Sequence, residues 1–268
     1  MAKNIDSLDP QSANLLRTVS VEQRNVFTTR DAFRYLKLSR QGVYDRLSDL
    51  VKGGWIVRLR QGTYFISPFE TGKEGGVTEH DFVIASYLVS PHAIGLWSAL
   101  NQHGLTEQIP DRVYVLSTRR ISKPTKKIGA STYQIIVIPK KRFFGTQEIW
   151  FGSKKAVITD LEKTLLDAFL FPQYCGGMIE VVKSFKNAIS KINFSKLTHY
   201  ANRIGKGVLF KRLGILMDQL KPDFKEKKIW LKQISKGISL FDPQGEPSGP
   251  IVSEWNIRVN FNLEASRS

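Results

Sequence analysis

Basic and short polar side chains are concentrated between residues 24 and 60, where nine basic residues stand against three acidic ones. A helix predicted in this stretch has a polar side formed by Gln41, Tyr44, Asp45 and Ser48. Four of its residues suit contacts to base edges in a DNA major groove: Arg40, Gln41, Tyr44 and Ser48. Four arginines nearby suit contacts to phosphates: Arg30, Arg46, Arg58 and Arg60. The last two could instead enter the minor groove. These eight residues are the predicted DNA-binding site. Of the eight, Tyr44 is the one that could equally lean against the core.

Three helices and a hairpin are predicted to position these side chains. Asp9 and Pro10 are suited to begin a first helix that runs to about residue 22. Thr28 or Thr29 can cap a second helix, and Ser39 can cap a third that ends at the glycine pair 53–54.

The third helix has an apolar face, and a hairpin follows it. The helix residues predicted to face the core are Val43, Leu47, Leu50 and Val51. The runs WIVRLR and TYFI, on either side of Gln61 and Gly62, predict a tight β-hairpin. Helix, turn, helix and basic hairpin is the order of a winged helix-turn-helix. Two other interpretations stay open, because arginines on short helices commonly form a solvated face and winged folds also bind proteins.

Length and charge set the broad class. The chain has 268 residues and a net charge of +16, which favours two domains and a polyanionic partner. An anionic membrane surface would suit the charge equally well, but no stretch approaches the roughly 20 apolar residues of a spanning helix. The N-terminus MAKNIDSLDP also lacks the apolar core of a signal peptide. We therefore expect no membrane association and a cytoplasmic location.

The predicted fold class is α+β, with a larger mixed domain behind the winged helix. The polar stretch from Pro68 to Gly76 predicts a linker, which gives domains at 1–70 and 77–242 and an irregular tail at 243–268. Short β-branched runs between residues 112 and 159 predict strands, and residues 160–220 predict successive helices that form a helical C-terminal part.

Two basic runs in the larger domain leave its role open. Residues 119–142 hold eight basic and no acidic side chains, and residues 183–236 hold fourteen basic and three acidic ones. They could be a solvated lysine-rich face, a surface for DNA phosphates beside the operator, or a grip on RNA. Three aromatic residues could stack on unpaired bases or could equally belong to the core: Tyr133, Phe143 and Phe144.

No catalytic, metal or cofactor site is predicted. The acids around Lys163 lie at a helix start, where capping explains them better than a nuclease site does: Asp160, Glu162 and Asp167. Ser98, between His92 and His103, lacks the sequence of a nucleophile elbow. The single cysteine, Cys175, is expected to be a buried filler, and the four histidines have no metal-ligand spacing.

Three segments, in this order, resemble the AbiEi family of antitoxins from type IV toxin-antitoxin systems: TTRDAFRYLKLSRQGVYDRLSDLVKGGWIVRLRQGTYFISP, WSALNQHGLTEQIP and VITDLEKTLLDAFLFPQYCGG. The resemblance covers roughly residues 10 to 220. It implies a winged helix that represses its own promoter by binding inverted repeats, with a reading helix at residues 40–52 and a wing at 58–63. It also implies a C-terminal domain needed to counter an AbiEii-like nucleotidyltransferase toxin without a stable complex.

Three functions remain open at this stage. The first is an autoregulating antitoxin repressor with two copies on each operator, since a palindrome matches two protein copies. The second is a winged-helix regulator with a ligand-sensing domain. The third is a nucleic-acid enzyme such as a nuclease. Of the three, the sequence favours the antitoxin repressor.

Overall fold

The computed structural model describes residues 8–21, 25–68, 76–220 and 224–262. The chain divides into two compact units. The first comprises residues 1–90 and 123–133, and the second comprises residues 91–122 and 134–268. Most of the predicted linker, residues 69–75, lies outside the described residues.

The first unit begins with three helices, α1 (Pro10–Val21), α2 (Thr29–Leu36) and α3 (Arg40–Lys52). Each starts where a short polar side chain can accept hydrogen bonds from free helix amides. Asp9 accepts from two amides of α1 at 3.1 Å, Thr28 forms a capping box with Asp31 at α2, and Ser39 caps α3. The segment 37–39 separates α2 from α3, which is the turn length of a helix-turn-helix.

A three-stranded antiparallel sheet completes the winged helix. Strands β1 (Val26–Thr28), β2 (Ile56–Arg60) and β3 (Thr63–Ile66) have the spatial order β1-β3-β2. The turn between β2 and β3 needs Gly62, whose φ of +71° is one that glycine adopts without strain. The core under the sheet is a single cluster that includes Leu16, Phe27 and Leu47. The predicted fold class, a winged helix followed by a larger mixed domain, is confirmed.

The first unit also holds chain beyond the winged helix. Helix α4 (Asp81–Leu88) packs against β2, and His80 caps its first turn. Strand β6 (Thr125–Ile128) and the start of β7 (Ser131–Val137) form a hairpin that is grouped with this unit. The first unit therefore runs on to residue 90, and one later segment, residues 123–133, returns to it.

The second unit is built on a sheet with the order β7-β5-β4-β9-β8. Its strands are the remainder of β7, β4 (Ala93–Ile94), β5 (Val113–Ser117), β8 (Thr146–Phe151) and β9 (Lys154–Thr159). The pairs β4–β5 and β8–β9 are antiparallel, whereas β4 and β9 are parallel. Helix α5 (Leu96–Gln102) connects β4 to β5 and packs against both β5 and α6.

The helical part of the second unit follows the sheet. It contains α6 (Leu161–Leu170), α7 (Met178–Ala188), α8 (Phe194–Ile204), α9 (Gly207–Leu220) and the short α10 (Lys227–Leu231). The leucine- and phenylalanine-rich faces of α6 to α9 form one continuous core. These helices therefore match the elements predicted from the apolar period of residues 160–220.

The last described residues are attached to this helical part. Strands β10 (Ser239–Leu240), β11 (Ile251–Val252) and β12 (Ile257–Arg258) form a small sheet, and the last two of these strands lie within the predicted tail 243–268. Trp255 is fully buried and its indole N–H donates to Asp218 at 2.6 Å. Its ring lies where a side chain at Gly214 would have to be, since a Cβ there would approach it to 2.5 Å.

Candidate nucleic-acid interface

One side of α3 is apolar and buried, and the other carries the predicted base-reading residues. Val43 and Leu47 are buried, whereas Arg40, Gln41, Tyr44 and Ser48 are all exposed. Gln41 donates to Asp45 one turn along the helix at 2.8 Å. The Tyr44 ring meets Phe33 edge to face, at 5.9 Å between centroids, and remains 43% exposed. Tyr44 therefore touches its neighbour and still faces solvent.

A groove of about 260 Å³ runs between α3 and the wing. Three predicted site residues line it together: Tyr44 and Ser48 from the helix and Arg58 from β2. Val51 also lines the groove and is 36% exposed, so its prediction as a core residue is wrong. Because seven residues make nearly two helical turns, Val51 lies on the same side of α3 as Tyr44, at the edge of the buried face.

A β-bulge in the wing separates its two arginines. Arg58 lies opposite Tyr64 and Arg60 lies opposite Thr63, with a register shift between them. Cross-strand partners share a face of a sheet and adjacent residues alternate, so Arg58 and Arg60 lie on opposite faces. Arg58 faces the groove with Tyr64. Arg60 donates from Nε to the Thr63 hydroxyl at 3.2 Å on the other face.

The remaining two predicted phosphate contacts have different surroundings. Arg30 is exposed on α2, and no carboxylate of the described residues forms an ion pair with it. Arg46 forms an ion pair with Asp9 at 2.7 Å, which ties α3 to the start of α1. Burial alone would raise the pKa of Asp9, but hydrogen bonds from Ser12 and the charge of Arg46 outweigh it and lower that pKa. Arg46 thus has a structural partner within the domain.

Lys126, in strand β6, was not among the predicted site residues. Its Nζ lies 3.5 Å from the carbonyl oxygen of Leu59, the bulged residue of the wing. Burial lowers the pKa of Lys126, and the charges of Arg60 and Arg58 lower it further. In the sequence, Lys126 is one of eight basic residues in the run 119–142, which has no acidic residue. That pattern does not identify which of its lysines lie near the wing.

The acids at the start of α6 are held by protein partners. Asp160 caps the helix at the Lys163 amide and accepts from the Tyr200 hydroxyl at 3.0 Å. Lys196 pairs with Asp160 at 3.1 Å and with Glu162 at 2.8 Å. Helix capping, expected from the sequence, is therefore what Asp160 does.

The other pair in this cluster is fully buried. Lys163 and Asp167, one turn apart on α6, form an ion pair out of contact with solvent. Burial raises the pKa of Asp167, and the Lys163 charge opposes that change. Within the described ranges, no group of three or more histidines, cysteines, aspartates or glutamates is placed to hold a metal ion.

The residues considered for nucleophilic catalysis or base stacking are mostly engaged in packing. Ser98 accepts from the Tyr114 amide at 2.9 Å, and the His103 ring lies 2.8 Å from the carbonyl oxygen of Thr159. Tyr133 and Phe144 are buried, so base stacking by these two is wrong and the core alternative is right. Tyr133 lies on the same face of β7 as the buried Ile135, whereas Phe144 lies in the loop before β8.

Helices α1 to α3, the three-stranded sheet and the groove between α3 and the wing together define the winged helix-turn-helix class. Residues 14–66 match the model of a family described as "Transcriptional regulator, AbiEi antitoxin". This match confirms the resemblance to the AbiEi family over the winged helix. The matched residues are a fifth of the chain, so the match does not extend to the second unit.

The chain was also compared with curated proteins and with solved structures. No curated protein matches the chain. Among solved structures, the crystal structure of the RV2827C protein from Mycobacterium tuberculosis is similar, with a TM-score of 0.66 and 14% identity over 93% of this chain and 91% of that one. At this identity the similarity shows a shared fold. In the part of the chain that the structure describes, no helix has the length and apolar character needed to cross a membrane.

Proposed function

We propose that this chain is a DNA-binding repressor of its own operon and the antitoxin of a type IV toxin-antitoxin pair. It acts in the cytoplasm, by binding and not by catalysis. The observation that carries the proposal is the groove in which Tyr44 and Ser48 of α3 face Arg58 of the wing. The family match over residues 14–66 supports the regulatory part of the proposal.

The residues around the groove divide into two roles. Arg40 and Gln41 are exposed at the first turn of α3, which is the part of a recognition helix that reaches base edges. Ser48, farther along, reads bases beside them, with Tyr44 at the groove wall. Arg58 and Arg60 hold phosphates on either side of the wing, and Arg30 adds a phosphate contact from α2. An inverted repeat would then bind two copies of the chain.

The gel-shift experiment for this proposal compares the duplex immediately upstream of the gene with a scrambled duplex of the same length, at two salt concentrations. We expect the native duplex to bind at least about 100-fold more tightly, which is about 2.7 kcal/mol. If both duplexes bind equally and both affinities fall with salt, the chain binds nucleic acid without sequence preference. In that case RNA becomes the ligand to test.

The antitoxin part rests on the resemblance to the family rather than on the groove. Its expected partner is an AbiEii-like nucleotidyltransferase toxin encoded beside it, countered without a stable complex. Co-expression with the neighbouring gene tests this: growth should be restored although the two proteins do not copurify. Restored growth with copurification would replace this mechanism by direct sequestration, and no restoration would remove the antitoxin function.

A further inference from the structure

The β6–β7 hairpin lies more than fifty residues after the winged helix in the sequence but is grouped with it. Residues 123–133 belong to the first compact unit, whereas the chain before and after them belongs to the second. A two-residue turn at Gly129 and Ala130 reverses the chain, and Gly129 has a φ of +58° that favours glycine. The hairpin is therefore a separate arm of the DNA-binding unit.

Hydrogen bonds hold this arm in place. Ser131 and Tyr133 both donate to the carboxylate of Asp81, each at 2.8 Å. Asp81 is the first residue of α4, and α4 packs against wing strand β2. Ile128 is buried at the end of β6. The hairpin thus has a fixed position relative to the wing.

The arm places further positive charge beside the wing. Lys126 lies on the face of β6 that is turned inward with Ile128, and its Nζ reaches the backbone oxygen of Leu59. Lys127 points to the opposite face and is exposed. Because of the wing bulge, Arg60 lies on the face away from the groove. Leu59 lies between Arg58 and Arg60 in β2, so this contact places Lys126 beside both arginines. Burial lowers the pKa of Lys126, and the two arginine charges lower it further.

No carboxylate balances this group of cations among the described residues. Arg58, Arg60, Lys126 and Lys127 form no ion pair with any of them. Gathering like charges costs free energy that a bound polyanion can offset, and phosphates at regular spacing are such a ligand. An acidic peptide would offer the same charge, but the neighbouring groove and its base-reading residues favour duplex DNA.

We propose that the β6–β7 hairpin is a second wing, whose Lys126 and Lys127 contact phosphates of the same duplex that α3 reads. This inference rests on the proposed function. It assigns a role to one part of the basic run 119–142 and leaves Lys140 and Lys141, in the second unit, outside that role.

The test measures how the affinity of the full chain for the upstream and scrambled duplexes depends on salt. The variant is Lys126→Gln/Lys127→Gln, and its matched control is Lys140→Gln/Lys141→Gln, which removes the same charge from the same basic run. We expect the slope of log affinity against log salt to fall by about two for the variant, at about 0.9 per phosphate, on both duplexes. The control should keep the slope of the unmodified chain.

A charge-retaining variant separates a contact from a folding defect. Lys126→Arg/Lys127→Arg should keep the original slope, and Lys127→Gln alone, at an exposed position, should lower it by about one. An unchanged slope for Lys126→Gln/Lys127→Gln overturns the second wing, even where the unmodified chain still prefers the upstream duplex. Equal losses in variant and control also overturn it, because the charge effect is then general. If the unmodified chain binds no duplex, the proposed function fails together with it.

Discussion

The arginines around the groove and the buried basic residues of the second unit have opposite surroundings. Around the groove, Arg40, Arg58 and Arg60 have no acidic partner among the described residues. In the second unit, Lys163 is buried against Asp167, and Lys211 is buried with its Nζ donating to the carbonyl oxygen of Gly237 at 2.6 Å. The arginines around the groove are available to a ligand, whereas these buried lysines stabilise the fold of the second unit.

Arg212 is a further basic residue of the second unit that is bound within the protein. Its guanidinium donates to the carbonyl oxygens of Phe169 and Leu240, and burial lowers its pKa to about 10. It lies within the basic run 183–236, which the sequence offered as a nucleic-acid surface. At least two of the run's fourteen cations, Lys211 and Arg212, are buried, so counting charges along a helix overstates what the helix can bind.

The largest effect should come from breaking the buried pair of the second unit. Lys163→Met leaves the Asp167 carboxylate buried without its main partner, and we expect a loss of about 3–5 kcal/mol in the free energy of unfolding. Urea unfolding followed by circular dichroism measures it. The double variant Lys163→Met/Asp167→Leu should recover most of that loss and bind DNA like the unmodified chain. Weaker DNA binding by a stable double variant would contradict the purely structural role.

On the winged-helix side, Arg40→Ala should change sequence preference instead of stability. Loss of a base contact typically costs about 1–3 kcal/mol of discrimination, so the ratio of upstream to scrambled affinity should fall by that amount. Gel shifts with both duplexes give the ratio. Lys52→Ala, at the other end of α3, is the control and should affect both duplexes alike. A ratio unchanged by Arg40→Ala would remove this residue from the base-reading set.

The wing arginines should act independently of one another. Because the bulge puts Arg58 and Arg60 on opposite faces, each is expected to hold its own phosphate. Arg58→Ala and Arg60→Ala should each lower the salt slope by about one, and the double variant by about two. Salt titration of binding to a scrambled duplex measures all three. If the double variant loses no more than either single variant, the two side chains share one phosphate and the bulge does not separate them.

The sequence predicted the elements of the winged helix well because local signals agree there. Thr28 and Ser39 cap helices that also have an apolar period, and Gly62 lies where the wing turn requires it. Helices α6 to α9 were predicted for the same reason.

What the sequence missed depends on contacts between distant segments. The β6–β7 hairpin joins the first unit through Asp81, a contact across fifty residues that no local pattern encodes. The bulge between Arg58 and Arg60 is set by cross-strand register, and the surroundings of Val51 depend on where the wing lies. Site residues on one helix could thus be predicted, whereas their availability to a ligand could not.

The smallest effect tests the one predicted phosphate contact that the structure pairs with an acid. Arg46→Ala breaks a half-exposed ion pair, so we expect a loss of only about 0.5–1 kcal/mol in the free energy of unfolding and an unchanged salt slope for DNA binding. The pKa of Asp9 is lowered in the folded state, so this carboxylate stabilises the fold above its unfolded pKa of about 4, and that contribution disappears as pH falls through the folded pKa. Urea unfolding at neutral pH and near pH 3 should therefore show a smaller acid-induced loss for Arg46→Ala than for the unmodified chain. A salt slope reduced by one would instead show that Arg46 binds a phosphate, as proposed for the arginines around the groove.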